Sequence, residues 1–125
     1  MTDGGEDGAA RRRALGRGRR AEAFAALYLR CKGYRILARA YRTPVGEIDV
    51  IAMRGRTLAM VEVKYRPGRE AAAYAITDNR KQRIARAAGA FIAAHPQFAD
   101  RHIRFDALLL APGRWPEHVR DAWRM

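Results

Sequence analysis

The chain has 125 residues, the size of one ordinary domain, and 49% of them are apolar, enough for a substantial core. Lys and Arg number 25 against 13 Asp and Glu, a formal net charge of +12, so the natural partners are polyanions: DNA, RNA or an anionic membrane surface. No apolar run approaches the roughly 20 residues that span a bilayer, no apolar core of a secretory signal follows the N-terminal arginines, and the single cysteine excludes an intrachain disulfide and a Cys-based zinc site; a cytoplasmic protein without membrane partners is the expectation.

Residues 1–18 mix Gly, Ala, Arg and acids without periodicity, which predicts a disordered basic arm ahead of one domain over residues 19–125. A first helix is predicted over Arg19–Lys32, with Phe24, Leu27, Tyr28 and Cys31 as its buried stripe and Gly33 as its stop. On that stripe Cys31 reads as plain core. Tyr34–Tyr41 alternates as a strand with one exposed face. Gly46–Met53 and Thr57–Lys64 read as two more strands, joined by a tight turn at Arg54-Gly55. After a loop from Arg66 to about Ile76, Thr77 or Asp78 caps a second helix that ends near Ala94 before His95-Pro96. Its buried stripe is Ile84, Ala88, Phe91 and Ile92. Arg104–Leu110 is a fourth strand, and the tail from Glu117 reads equally as short helix or strand. The order is αβββαβ, an α/β domain with a mixed sheet of about four strands. The crossover through the second helix sets strands three and four parallel.

If Arg54 and Gly55 form the turn, Glu47 faces Glu62 and Asp49 lies diagonal to it, with backbones about 7–8 Å apart. Side-chain alternation then puts Glu47, Asp49, Glu62 and Lys64 on one face, and Ile48, Val50, Ala59, Val61 and Val63 on the other. Acids in the middle of apolar strands repel and need a counter-charge: a metal, Lys64 or other basic groups. Mg²⁺ suits the site because it binds through one or two carboxylates plus water and substrate phosphate; Mn²⁺ is the alternative. Lys64, two residues past Glu62, is placed to orient a water or balance charge. The plainer alternative is a set of solvated charges on an exposed sheet face.

The runs GEIDVIA and VEVKYR resemble the hallmark segments of the YraN-like bacterial family, and the resemblance extends from about Gly16 to Trp123. That family is similar to Holliday-junction resolvases and restriction endonucleases, which share an Asp followed by Glu-x-Lys. The resemblance implies a restriction-endonuclease-like fold, Asp49 and Glu62 as metal ligands, Lys64 as the catalytic lysine and Glu22 as the first-helix acid near the metal. It leaves a homodimer open, since related resolvases pair. Two departures stand out: Ala21-Glu22 replaces the usual Gly-Glu, and Ala40 stands where an asparagine is common.

Each remaining group also has an ordinary structural role. Glu22 suits any helix N-terminus. Lys81 fits a snorkelling lysine as well as a phosphate contact. Arg66, Lys81 and Arg83 are the candidate nucleic-acid contacts, Asp106 is read as a structural hydrogen-bonding acid, and His95, His102 and His118 show no ligand spacing. The leading function is a metal-dependent endonuclease, or a nuclease-like protein, acting on branched or otherwise structured DNA. The alternatives are a non-catalytic nucleic-acid-binding module on the same fold and an assembly protein for an acidic partner.

Overall fold

The computed structural model describes residues 19–66 and 76–125; the predicted arm and most of the loop after Arg66, including Pro67 and Gly68, lie outside them. A helix over residues 19–31 (α1) is followed by strands β1 (Arg35–Thr43), β2 (Gly46–Arg54) and β3 (Thr57–Tyr65), then helix α2 (Asp78–Ala94), a 3₁₀ turn at Pro96–Phe98, and strands β4 (His102–Leu110) and β5 (Glu117–Trp123). The sheet runs β1-β2-β3-β4-β5, antiparallel except for the parallel β3–β4 pair. The crossover prediction therefore holds. The expected four strands become five, because the ambiguous tail adds to β4 as an edge strand.

The helices cover opposite faces of the sheet. α2 lays Ile84, Ala87, Ala88 and Phe91 on Ile51, Leu58, Met60, Ala107 and Leu109. Its start is fixed by Thr77, whose hydroxyl accepts the Arg80 N–H. α1 packs against Val50, Ala52, Ala59, Val61, Leu108 and Leu110.

The buried side of α1 corrects the predicted stripe. Ala21, Ala25, Ala26 and Leu29 are buried, whereas Phe24, Leu27 and Cys31 face outward. Small residues at i and i+4 let the helix lie close on a sheet surface itself made of Val and Ala, and the larger stripe is left to the outside. Cys31 is thus an exposed thiol, not core.

The β2–β3 turn is also displaced by one residue. Arg54 pairs with Thr57, so Gly55 and Arg56 form the turn, with Gly55 at φ 59. The first central position of a type II′ turn requires that left-handed φ; the predicted turn would have imposed it on Arg54. The new register runs from Arg54 to Val50 against Thr57 to Val61. Beyond that last pair the Val63 N–H donates to the Asp49 carboxylate, which lies beside Glu62. Ile48 departs from the predicted faces too: it joins the α2-side core while Val50 stays on the α1 side. The alternation breaks where Ala40, between the partners of Ile48 and Val50, takes φ 48. Among the described residues no helix is long and apolar enough to cross a membrane.

Candidate functional site

Gly46 opens β2 directly beneath α2. A Cβ there would sit 1.9 Å from the Arg83 carbonyl oxygen, so only glycine permits the helix backbone to come this close. That approach delivers Arg80 and Arg83 over the carboxylates of β2 and β3.

Arg80 is the centre of the cluster. Its Nε and Nη2 donate to the two oxygens of Glu62 at 2.6 and 2.9 Å, and its Nη1 donates to Glu47. Nη2 also lies 3.6 Å from an Asp49 oxygen. Arg83 donates to the other oxygen of Glu47 at 2.7 Å. Asp49 in turn accepts the Val63 N–H at 2.8 Å. Glu62 is only 3% exposed, and Lys64, half-buried on the same strand, adds a favourable charge to it.

The two facing acids titrate in opposite senses. Burial, then the hydrogen bond and charge of Glu62, push Asp49 up to about 8. Burial also opposes ionisation of Glu62, but the Arg80 fork and a hydrogen bond from Asp49 outweigh it and hold Glu62 below the ordinary carboxylate range. Two carboxylates thus share one proton at neutral pH, as close like charges must. Glu47 is held low, first by its bond from Arg83. Arg80 is held above its already high value by Glu62.

The predicted site residues therefore divide. Glu47, Asp49, Glu62 and Lys64 come together at the carboxyl end of β3, with Arg83 joined through Glu47. Glu22 lies on α1, half-buried, its pKa raised by burial and offset by Arg42 and Arg39 of β1 and by Arg19. Lys81 is half-buried beside Arg80. Arg66 is exposed, with its Nη1 donating to the Tyr65 carbonyl. The sequence reading passes over Arg80; its spacing from Arg83, three residues on one helix face, was the available signal.

Among the described residues no three His, Cys, Asp or Glu side chains form a ready metal cage. The donor chemistry nevertheless fits a hard divalent cation. Asp49 and Glu62 lie side by side on adjacent strands, and two carboxylates are the protein ligand count that Mg²⁺ uses when waters and substrate phosphate complete its shell. The Arg80 fork now neutralises these acids, so a metal competes with it.

A second buried acid is fully satisfied. Asp106, 0% exposed, accepts from Arg104 Nε and Nη2 at 2.8 and 2.7 Å, from His118 Nε2 at 2.8 Å and from the Asp121 N–H at 3.0 Å. Arg104 reaches on to the Tyr34 hydroxyl, and Lys32 Nζ lies 2.7 Å from His118 Nδ1. This network ties the β4–β5 edge to the end of α1, the structural role expected of Asp106. His118 belongs to it, although its sequence spacing gave no sign.

Residues 21–110 match the model of the family described as Uncharacterised protein family UPF0102. The chain belongs to the UPF0102 family. Its membership bears out the YraN-like resemblance. The UPF0102 protein of Parvibaculum lavamentivorans is 51% identical over 107 residues, covering 86% of this chain and 80% of the relative. That of Bradyrhizobium diazoefficiens is 53% identical over 103 residues, covering 82% and 77%. That of Methylorubrum extorquens is 48% identical over 120 residues, covering 96% and 94%.

Proposed function

We propose that this protein is a cytoplasmic, restriction-endonuclease-like phosphodiesterase that acts on structured DNA with Mg²⁺ or Mn²⁺. The observation that carries this reading is the meeting of Asp49 and Glu62 at the carboxyl end of β3, with Lys64 beside them and arginines poised above. The net charge of +12 supports a phosphate-rich partner, and the absence of any base-reading motif in the sequence agrees with recognition by backbone and shape.

Asp49 and Glu62 would hold the cation. When bound, it lowers the pKa of a water and neutralises developing phosphate charge. Lys64 supplies a compact positive charge next to the attacking water. Arg83 and Arg80 lie where a phosphate competing for their guanidinium groups would approach, and Lys81 and Arg66 extend the basic surface.

The Arg80 ion pairs also favour a second reading. A site whose acids are neutralised from within can serve as a purely structural hub in a non-catalytic nucleic-acid-binding module. Incubation with branched, flapped and single-stranded DNA in Mg²⁺ and in Mn²⁺ separates the two. Cleavage by the wild type that is lost in Lys64→Ala, with DNA binding nearly retained, is the expected result. Binding without cleavage of any structure would establish the module reading.

A further inference from the structure

On the α1 side of the same sheet end lies a half-open pocket of about 480 Å³, within the range of about 300–1,000 Å³ typical of small-ligand sites. Phe24 of α1 and Tyr65 of β3 form its aromatic walls, Pro112 and Pro116 its apolar rim, and Arg20 and Arg114 its charges. Among the described residues Phe24 is 50% exposed and the neighbouring Trp115 is 90% exposed, large apolar surface of the kind that marks an interaction site. Tyr65 pairs with Leu110 at the carboxyl end of the parallel β3–β4 pair, where open α/β sheets commonly bind ligands. It follows Lys64 directly, three residues or about 10 Å along the strand from Glu62.

We propose that this pocket holds one unpaired nucleobase of a strand whose backbone passes the carboxylate cluster; this rests on the reading that the protein engages nucleic acid. The chemistry matches one occupant. Aromatic faces stack any base regardless of sequence, and flanking arginines take the phosphates on either side. A second copy of a chain at +12 would bring like charge onto Arg20 and Arg114. Residues 1–18 carry four arginines, three acids and no aromatic side chain, so they offer no ring to stack in the pocket and no net negative charge for its arginines. A base held here would make a junction or single-stranded tail the preferred substrate over a blunt duplex.

The test compares a blunt duplex with the same duplex carrying a single-stranded tail that holds 2-aminopurine beside the junction. The wild type binds the tailed DNA more tightly and quenches the 2-aminopurine. Phe24→Ser and Tyr65→Ser alter exposed side chains, so the fold survives; each lowers affinity for the tailed DNA by roughly 5- to 150-fold per lost stack and abolishes quenching, while blunt-duplex affinity stays within about twofold. Arg114→Gln weakens tailed-DNA binding with a shallower salt dependence. Variants that keep the preference and the quenching overturn the proposal. So does a change of oligomeric mass in Phe24→Ser with DNA binding intact, which would assign the pocket to a second copy. A wild type that binds neither DNA at low salt removes this proposal together with the functional reading, whereas loss of cleavage alone leaves it standing.

Discussion

Replacing Arg80 with glutamine removes the cation that three carboxylates share. Glu62 loses both arms of a bidentate ion pair at 2.6 and 2.9 Å while remaining 3% exposed. Removing one partner of a buried pair costs about 3–5 kcal/mol. Arg80 itself is 23% exposed, and the two facing acids can take up a further proton, so we expect the lower end, about 3 kcal/mol. At roughly 4 °C per kcal/mol for a domain of this size, Tm falls by about 12 °C. Urea unfolding at pH 7 gives the free energy, and two additions identify its cause. Millimolar Mg²⁺ should stabilise Arg80→Gln more than the wild type, because the ion no longer competes with a guanidinium. Glu62→Gln in the Arg80→Gln background should restore most of the loss, because the orphaned charge is gone. A loss below about 1 kcal/mol, or a double variant whose costs simply add, would refute an arginine bound as an internal counter-ion.

Asp49 predicts the pH dependence. Its folded pKa, raised to about 8, lies above its ordinary 3.8, so the folded state keeps a proton that the unfolded chain has released. Stability therefore falls as pH rises from about 4 to 8, by up to ~1.4 kcal/mol per unit, and Asp49→Asn flattens that slope in urea titrations. Asp106 works in the other sense: burial opposes its ionisation, but His118 and Arg104 overcome that and hold it at about 2. The stability it contributes is present above pH 3.8 and lost as pH falls through 2, and Asp106→Asn, which strips Arg104 of its buried partner, should cost about 3 kcal/mol at pH 7 by thermal unfolding. Ala40→Gly relieves a left-handed φ of 48 and should stabilise by about 0.5–1 kcal/mol in the same assay. Gly46→Ala should lower Tm sharply and abolish the Arg83–Glu47 contact, since its Cβ would overlap the α2 backbone.

Most of this architecture was legible because local signals agreed with one another. Thr77 capped α2 as read, the Ile84–Phe91 stripe faced the sheet, and the crossover rule set β3 and β4 parallel. The carboxylate cluster was legible for a similar reason: alternation along β3 put Glu62 and Lys64 on one face and the hairpin brought β2's acids beside them, even though the turn was misplaced by one residue and the alternation of β2 breaks at Ile48. What escaped depended on contacts between distant segments. α1 presents two apolar sides, and only the smooth Val–Ala surface beneath it selects the alanine side over Phe24 and Leu27. The tail became β5 because β4 had a free edge and Asp106 needed His118 and the Asp121 N–H. Arg80 looked like any helix arginine until Gly46 let α2 descend onto the acids.

The central claim is that Asp49 and Glu62 together accept a divalent cation. Mn²⁺ titration at pH 7.5, read by electron paramagnetic resonance of the free ion, tests it most directly with the wild type, Arg80→Gln and Asp49→Asn, each shown folded by circular dichroism. One ion per wild-type chain, tighter binding in Arg80→Gln and none in Asp49→Asn is the predicted result. Equal Mn²⁺ binding by wild type and Asp49→Asn, or no binding by either wild type or Arg80→Gln, would contradict it.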